Sequence, residues 1–208
     1  MIKKILWFLF GFFCIGVAFY AFSYLFVDRS DGLLGGKPLE VLENALWWTA
    51  FYSHVGFGGL ALLIGWVQFS KKLRKQNLNL HRWVGKIYVI SCLLSGSASI
   101  YVAFYATGGL IPMFGFLGLG SIWLYTTIMA WTSIQKFNFI EHERMMIFSY
   151  AMCMAAVTLR IYLPLLTIAF GDFLTAYKIV AWLCWVPNLM VAWWIVRYKT
   201  LKQTLGVV

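Results

Sequence analysis

The sequence predicts an all-α integral membrane protein, a bundle of six transmembrane helices with both termini cytoplasmic. Three observations carry this. First, 62% of the 208 residues are hydrophobic and only 12% are charged, whereas a soluble domain is about 45–50% apolar and about 25% charged. Mean hydropathy is +0.79. Second, the apolar residues fall into continuous runs long enough to cross a bilayer, which takes about 20 residues. Third, the cations collect in alternate gaps between those runs. Such a composition excludes a soluble enzyme, a disordered tail and a disulfide scaffold. Unbroken apolar runs, without alternation, also exclude a membrane barrel.

Six spans are expected in one transmembrane domain over residues 1–208: 5–27, 46–69, 84–106, 113–134, 145–170 and 175–196. The first follows Met-Ile-Lys-Lys and looks like a signal peptide, yet it is longer than an h-region of about 7–15 residues. Its end lacks a convincing cleavage site, so it is read as a retained helix. The second and fourth carry Gly56, Gly58, Gly59, Gly65 and Gly115, Gly118, Gly120, small surfaces that let helices approach closely. Pro164 and Pro187 lie in the fifth and sixth spans, where they free backbone carbonyls.

Charge placement sets the orientation. With the N-terminus inside, thirteen cations face the cytoplasm: Lys3, Lys4, Lys71, Lys72, Arg74, Lys75, Arg82, Lys86, Lys136, Arg144, Arg197, Lys199 and Lys202. Only Arg29, Lys37 and Lys178 face outward, and Arg160 stays within a span. The positive-inside rule therefore favours cytoplasmic termini. The net charge of +10 reflects this asymmetry and not nucleic-acid binding, since the aromatics lie in the apolar runs and not among the cations. Cys14, Cys92, Cys153 and Cys184 all sit in apolar stretches and read as small buried residues.

Chemistry in such a chain is sought where polar side chains enter the membrane. Toward the inner side, His81 and His142 open neighbouring spans at matched depth, with Arg82, Arg144 and Gln68 beside them. Two neutral imidazoles there would supply both axial ligands of a haem b, with the cations on its propionates. A quinone, a lipid phosphate or an anionic metabolite would use the same donors. Interfacial histidines bonded to loop carbonyls are the plain structural alternative.

Toward the outer side, His54 lies about 10 Å and Arg160 about 15 Å into their spans, at ~1.5 Å per residue. Tyr162 and Asn188 accompany them. No acidic residue lies in any span, so Arg160 requires a carbonyl, a tyrosine hydroxyl, Asn188 or an anionic ligand. Carbonyls freed by the prolines are one expected source.

Nucleophile elbows, Walker loops and H-E-x-x-H are absent from the chain. Glu141-His142-Glu143 cannot converge on one ion, because consecutive helical residues point apart.

Several motifs resemble those of the Domain of Unknown Function 2306 family of prokaryotic membrane proteins. They are His54-x-x-x-Gly58-Gly59-x-Ala61-Leu62-x-x-Gly65-x-x-Gln68-Phe69, Leu80-His81-Arg82-Trp83-x-Gly85-x-x-Tyr88, and His142-x-Arg144-x-Met146. Ala155-Ala156-Val157-Thr158-Leu159-Arg160 and Ala181-Trp182-x-Cys184-Trp185-Val186-Pro187-Asn188-Leu189 add to them. The chain departs where Glu143 and Met145 replace an expected Arg-Trp, and near Trp193, where an acidic residue is expected. The resemblance implies a multi-pass protein of the bacterial inner membrane, without an agreed activity.

Two functions are therefore carried forward. One is a b-type haem protein exchanging electrons with quinone. The other is a non-catalytic subunit of a larger membrane complex, a binder of a lipid or anionic small molecule, or a small transporter. Neither fixes a catalytic residue.

Overall fold

The structure, a computed structural model, describes residues 2–24, 26 and 32–204. Among these it is all helical. Helix α1 spans Ile2–Ser23; two single turns follow, α2 (Gly32–Gly35) and α3 (Leu39–Leu42). Next come α4 (Ala45–Gly65), a 3₁₀ turn over Trp66–Phe69, and α5 (Lys71–Gln76). The remainder is α6 (Leu78–Ala103), α7 (Leu110–Gln135), α8 (Phe139–Cys153), α9 (Ala155–Phe170), α10 (Phe173–Leu183) and α11 (Val186–Thr204).

Five stretches are long and apolar enough to cross a membrane: Ala45–Phe69, Leu78–Ala103, Leu110–Gln135, Phe139–Phe170 and Phe173–Leu201. The remaining expected span, 5–27, contributes the shorter apolar stretch Trp7–Tyr20 among the described residues. Its end at Val27, with Asp28, Arg29 and Asp31, lies outside them.

Helix starts differ from the hydropathy limits, because capping and not apolarity sets them. Asn77 accepts from the Leu80 N–H at 2.9 Å and begins α6 six residues before the expected Val84. Asn138 accepts from the Glu141 N–H at 3.1 Å and begins α8 six residues before Met145. His81 and His142 therefore stand one turn inside their helices. Asp172 caps α10 through the Leu174 and Thr175 N–H groups at 3.3 and 2.7 Å, and the Thr175 side chain together with these N–H groups holds its carboxyl below the ordinary range.

Two expected single helices are interrupted, at Met154 and at Cys184–Trp185. Pro187 supplies no N–H to the Leu183 carbonyl, which ends α10. The Thr158 hydroxyl and the Asn188 amide both donate to the Cys184 carbonyl nearby.

The elements pack in sequence, α1 on α4, α4 on α6, α6 on α7 and α7 on α8; α10 joins α7 to α9, and α11 rests on α8. The central core joins Tyr88 and Cys92 of α6 with Trp123 and Ala130 of α7, Tyr150 and Cys153 of α8, and Val180 of α10. A smaller cluster of Leu34, Val41, Trp47, Trp48 and Phe51 closes one end. Buried hydroxyls find partners: Tyr88 pairs with Ser149 at 2.9 Å, Thr127 with Ser149 at 2.8 Å, and Tyr150 donates to the Leu62 carbonyl at 3.1 Å. Gly65 makes room for this knot, since a Cβ there would lie 2.4 Å from the Tyr150 ring. The four cysteines are buried and free, as their apolar settings predict.

Candidate functional site

Between α1, α4, α6, α7, α8, α9 and α10, with Leu34 of α2 at one end, lies a cavity of about 880 Å³. Its wall is mostly apolar and aromatic, and among the described residues its ionisable groups are three nitrogen bases, Lys37, His54 and Arg160, together with Tyr20, Tyr24, Tyr177 and the Cys153 thiol. Among the described residues no aspartate or glutamate lines it.

His54 points from α4 toward α6. Its Nδ1 lies 3.1 Å from the Ser95 hydroxyl oxygen and 3.2 Å from the Ser95 carbonyl, while that hydroxyl donates to the His54 carbonyl at 2.8 Å. The hydroxyl proton is thereby spent, so Nδ1 must carry the ring proton of the neutral imidazole and Nε2 is left as an acceptor. Arg160 lies on α9. Its Nη1 donates to the Ala156 carbonyl at 2.9 Å, and its guanidinium carbon sits 4.9 Å from the Tyr20 ring centroid. Its Nε is buried without a partner.

The acceptor of Arg160 is not, as expected, a carbonyl freed by a proline. Pro164 withholds its N–H from the carbonyl of residue 160 itself, one turn back. The carbonyl that Arg160 uses belongs to Ala156, a further turn away.

Three more lining residues were not expected in a site. Lys37 donates to the Tyr105 carbonyl and lies 5.9 Å from the Trp47 ring centroid. Burial pushes its ammonium down to about 8. Trp47, 1% exposed, and Trp123, 5% exposed, carry indole N–H groups without acceptors. Trp47 reads in sequence as part of an interfacial aromatic belt, and only the fold turns it inward.

The structure brings His54 and Arg160 to one cavity but not Tyr162 or Asn188. Tyr162 packs against the core. Asn188 donates to the Ala151 carbonyl at 3.3 Å, the Thr158 hydroxyl at 3.2 Å and the Cys184 carbonyl at 3.0 Å, bracing α8, α9 and the α10–α11 break.

At the other end of the bundle, the His142 Nδ1 lies 2.8 Å from the Ala130 carbonyl of α7, which fixes its proton there. The His81 Nδ1 is buried without a partner, and Arg74, Arg82 and His142 are within electrostatic range of that ring. Gln68 is 8% exposed with its Nε2 unpartnered, and its Oε1 faces Gly85. Arg144 is exposed and 3.5 Å from Glu141, while Glu143 binds Lys199 at 2.7 Å. Neither His81 nor His142 lines the cavity. Among the described residues no group of three or more metal-ligating side chains converges.

Fold and site together define a multi-pass helical membrane protein, in contact with the lipid bilayer, that encloses an apolar cavity with cationic wall groups. Residues 51–196 match the family described as predicted membrane protein DUF2306, and the chain belongs to that family. No curated protein and no solved structure matches it.

Proposed function

We propose that this protein binds an amphipathic anion, a lipid or lipid-like carboxylate or phosphate, in the cavity between α1, α4 and α9. The carrying observation is Arg160. A guanidinium offers five N–H donors, and this one donates to a single carbonyl while lining a space where no described residue supplies a carboxylate. An unsatisfied buried donor costs about 1–3 kcal/mol, and Trp47 and Trp123 add two more such groups. A ligand rich in acceptors and poor in donors relieves all three. The volume also suits a small molecule, for which pockets of about 300–1,000 Å³ are usual.

The test is ligand retention by the detergent-purified protein, read by mass spectrometry of the extracted lipids and by titration with a fluorescent fatty acid. Arg160→Gln is expected to lower affinity about tenfold, one charge-assisted contact, and Arg160→Lys to recover only part of it. A folded Arg160→Gln protein with unchanged retention overturns the proposal.

A second reading keeps the inner pair, with haem b on His81 and His142 and electrons passing to quinone. It is favoured by the His142–Ala130 hydrogen bond, the kind of contact that orients an imidazole for ligation through its other nitrogen. His81 lacks the equivalent bond, and Arg144, expected on a propionate, faces Glu141 instead. Absence of a Soret band after haem-supplemented expression removes this reading.

In either case we infer that the chain acts as one domain of a bacterial inner membrane with both termini cytoplasmic. Support comes from the thirteen cations facing the inside against three outside.

A further inference from the structure

From Glu43 to Glu141 the chain contains no acidic residue, yet Lys71, Lys72, Arg74, Lys75, Arg82 and Lys86 fall within that interval. The 3₁₀ turn after α4 delivers Gln68 into the junction with α6. Ser70 then caps α5, whose Leu73 is half-buried while Lys71, Lys72, Arg74 and Lys75 are exposed. Asn77 starts α6, which sets His81 and Gly85 one turn apart on one face. The Gln68 Oε1 would lie 3.6 Å from a Cβ on Gly85, so Gln68 and His81 meet the same face of α6.

Both carry a buried nitrogen without a partner, the Gln68 Nε2 and the His81 Nδ1. Arg74 and Arg82 act on the His81 ring. Of the carboxylates at this end, Glu141 pairs with Arg144, and Glu143 binds Lys199 while lying within electrostatic range of Arg74. Among the described residues, what the Gln68 and His81 nitrogens lack is a group with several acceptor oxygens.

The geometry points to a second binding site, formed by Gln68, His81, Arg74 and Arg82 and distinct from the cavity, for a phosphate-bearing anion. Its tetrahedral oxygens accept from the amide and the imidazole while its charge faces the two guanidinium groups. Two sources offer this chemistry: the headgroup of an anionic glycerophospholipid, for which clustered cations beside a membrane are suited, and free phosphate. The site does not depend on the cavity's ligand, and it competes with haem for His81.

Full-length protein in detergent is mixed with equal amounts of dioleoyl phosphatidylglycerol and dioleoyl phosphatidylcholine, and retained lipid is read by native mass spectrometry. The measurement is made in wild type and in an Arg160→Gln background, which separates retention by the cavity. Phosphatidylglycerol is expected to exceed phosphatidylcholine about tenfold in both backgrounds. Arg74→Gln with Arg82→Gln, both exposed positions that leave the core intact, is expected to abolish that preference, and Gln68→Leu to reduce it. Displacement of the lipid by excess inorganic phosphate assigns the site to free phosphate, and persistence of the lipid assigns it to the headgroup. Equal retention of the two lipids by wild type, together with no binding of inorganic phosphate, overturns the proposal. So does a preference unchanged in the double arginine variant.

Discussion

Arg160 and Lys37 meet opposite sides of the same problem, a cation placed where water is scarce. Arg160 remains charged in any accessible pH range, so its environment must provide acceptors. Lys37 instead yields its proton, and its value near 8 stands well under the ordinary 10.5. Between those two values the folded protein holds neutral Lys37 while the unfolded chain keeps the proton, so stability rises with pH across that window. Below pH 8 both states are protonated and the cost of the buried ammonium is fully present. Thermal unfolding in detergent from pH 7 to 10.5 is expected to show this rise, and Lys37→Met to flatten it. Sequence depth alone singled out Arg160 and His54, because both lie far from any interface. It gave no hint of Lys37, whose burial depends on α2, α3 and the Tyr105 carbonyl folding over it.

Helix packing here turns on a few positions where side-chain volume is not tolerated. A Cβ on Gly115 of α7 would lie 2.8 Å from the Ala181 carbonyl of α10, a backbone atom with no rotamer to yield. Gly115→Ala is expected to separate these helices at a cost of about 1–3 kcal/mol, as overpacking does. A lowered melting temperature in detergent would record it. Gly56, with open space around it, is the control, and Gly56→Ala should leave the melting temperature unchanged or slightly raised. The sequence revealed these glycines as a class of close-approach sites but not which of them touch. It placed the long apolar helices within a few residues. The starts of α6 and α8 were missed, since the window of apolar residues begins after the first turn while Asn77 and Asn138 begin the helix. That shared asparagine, four residues before each histidine, is a signal the sequence offered. The breaks at Met154 and Cys184 were less visible, for only Pro187 announces one of them.

At the scale of the molecule, the proposed orientation rests on charges distributed over the connections, and it is open to direct test. The four native cysteines are buried, so labelling of introduced ones stands above a low background. A membrane-impermeant maleimide applied to intact cells is expected to label Lys178→Cys but not Lys75→Cys, and inverted vesicles to reverse the pattern. The cavity, by contrast, was not legible in the chain. Eight separated helices contribute described residues to its wall, and no local spacing encodes how they converge. One of those elements has a particular standing. Phe13, Gly16, Val17, Tyr20 and Tyr24 of the N-terminal segment form one wall, yet the family match opens only at Phe51. Within this chain, the wall that α1 supplies thus lies outside the matched portion. The first helix closes that flank of the cavity like a stave, and the Arg160 guanidinium over the Tyr20 ring is what fastens it to α9.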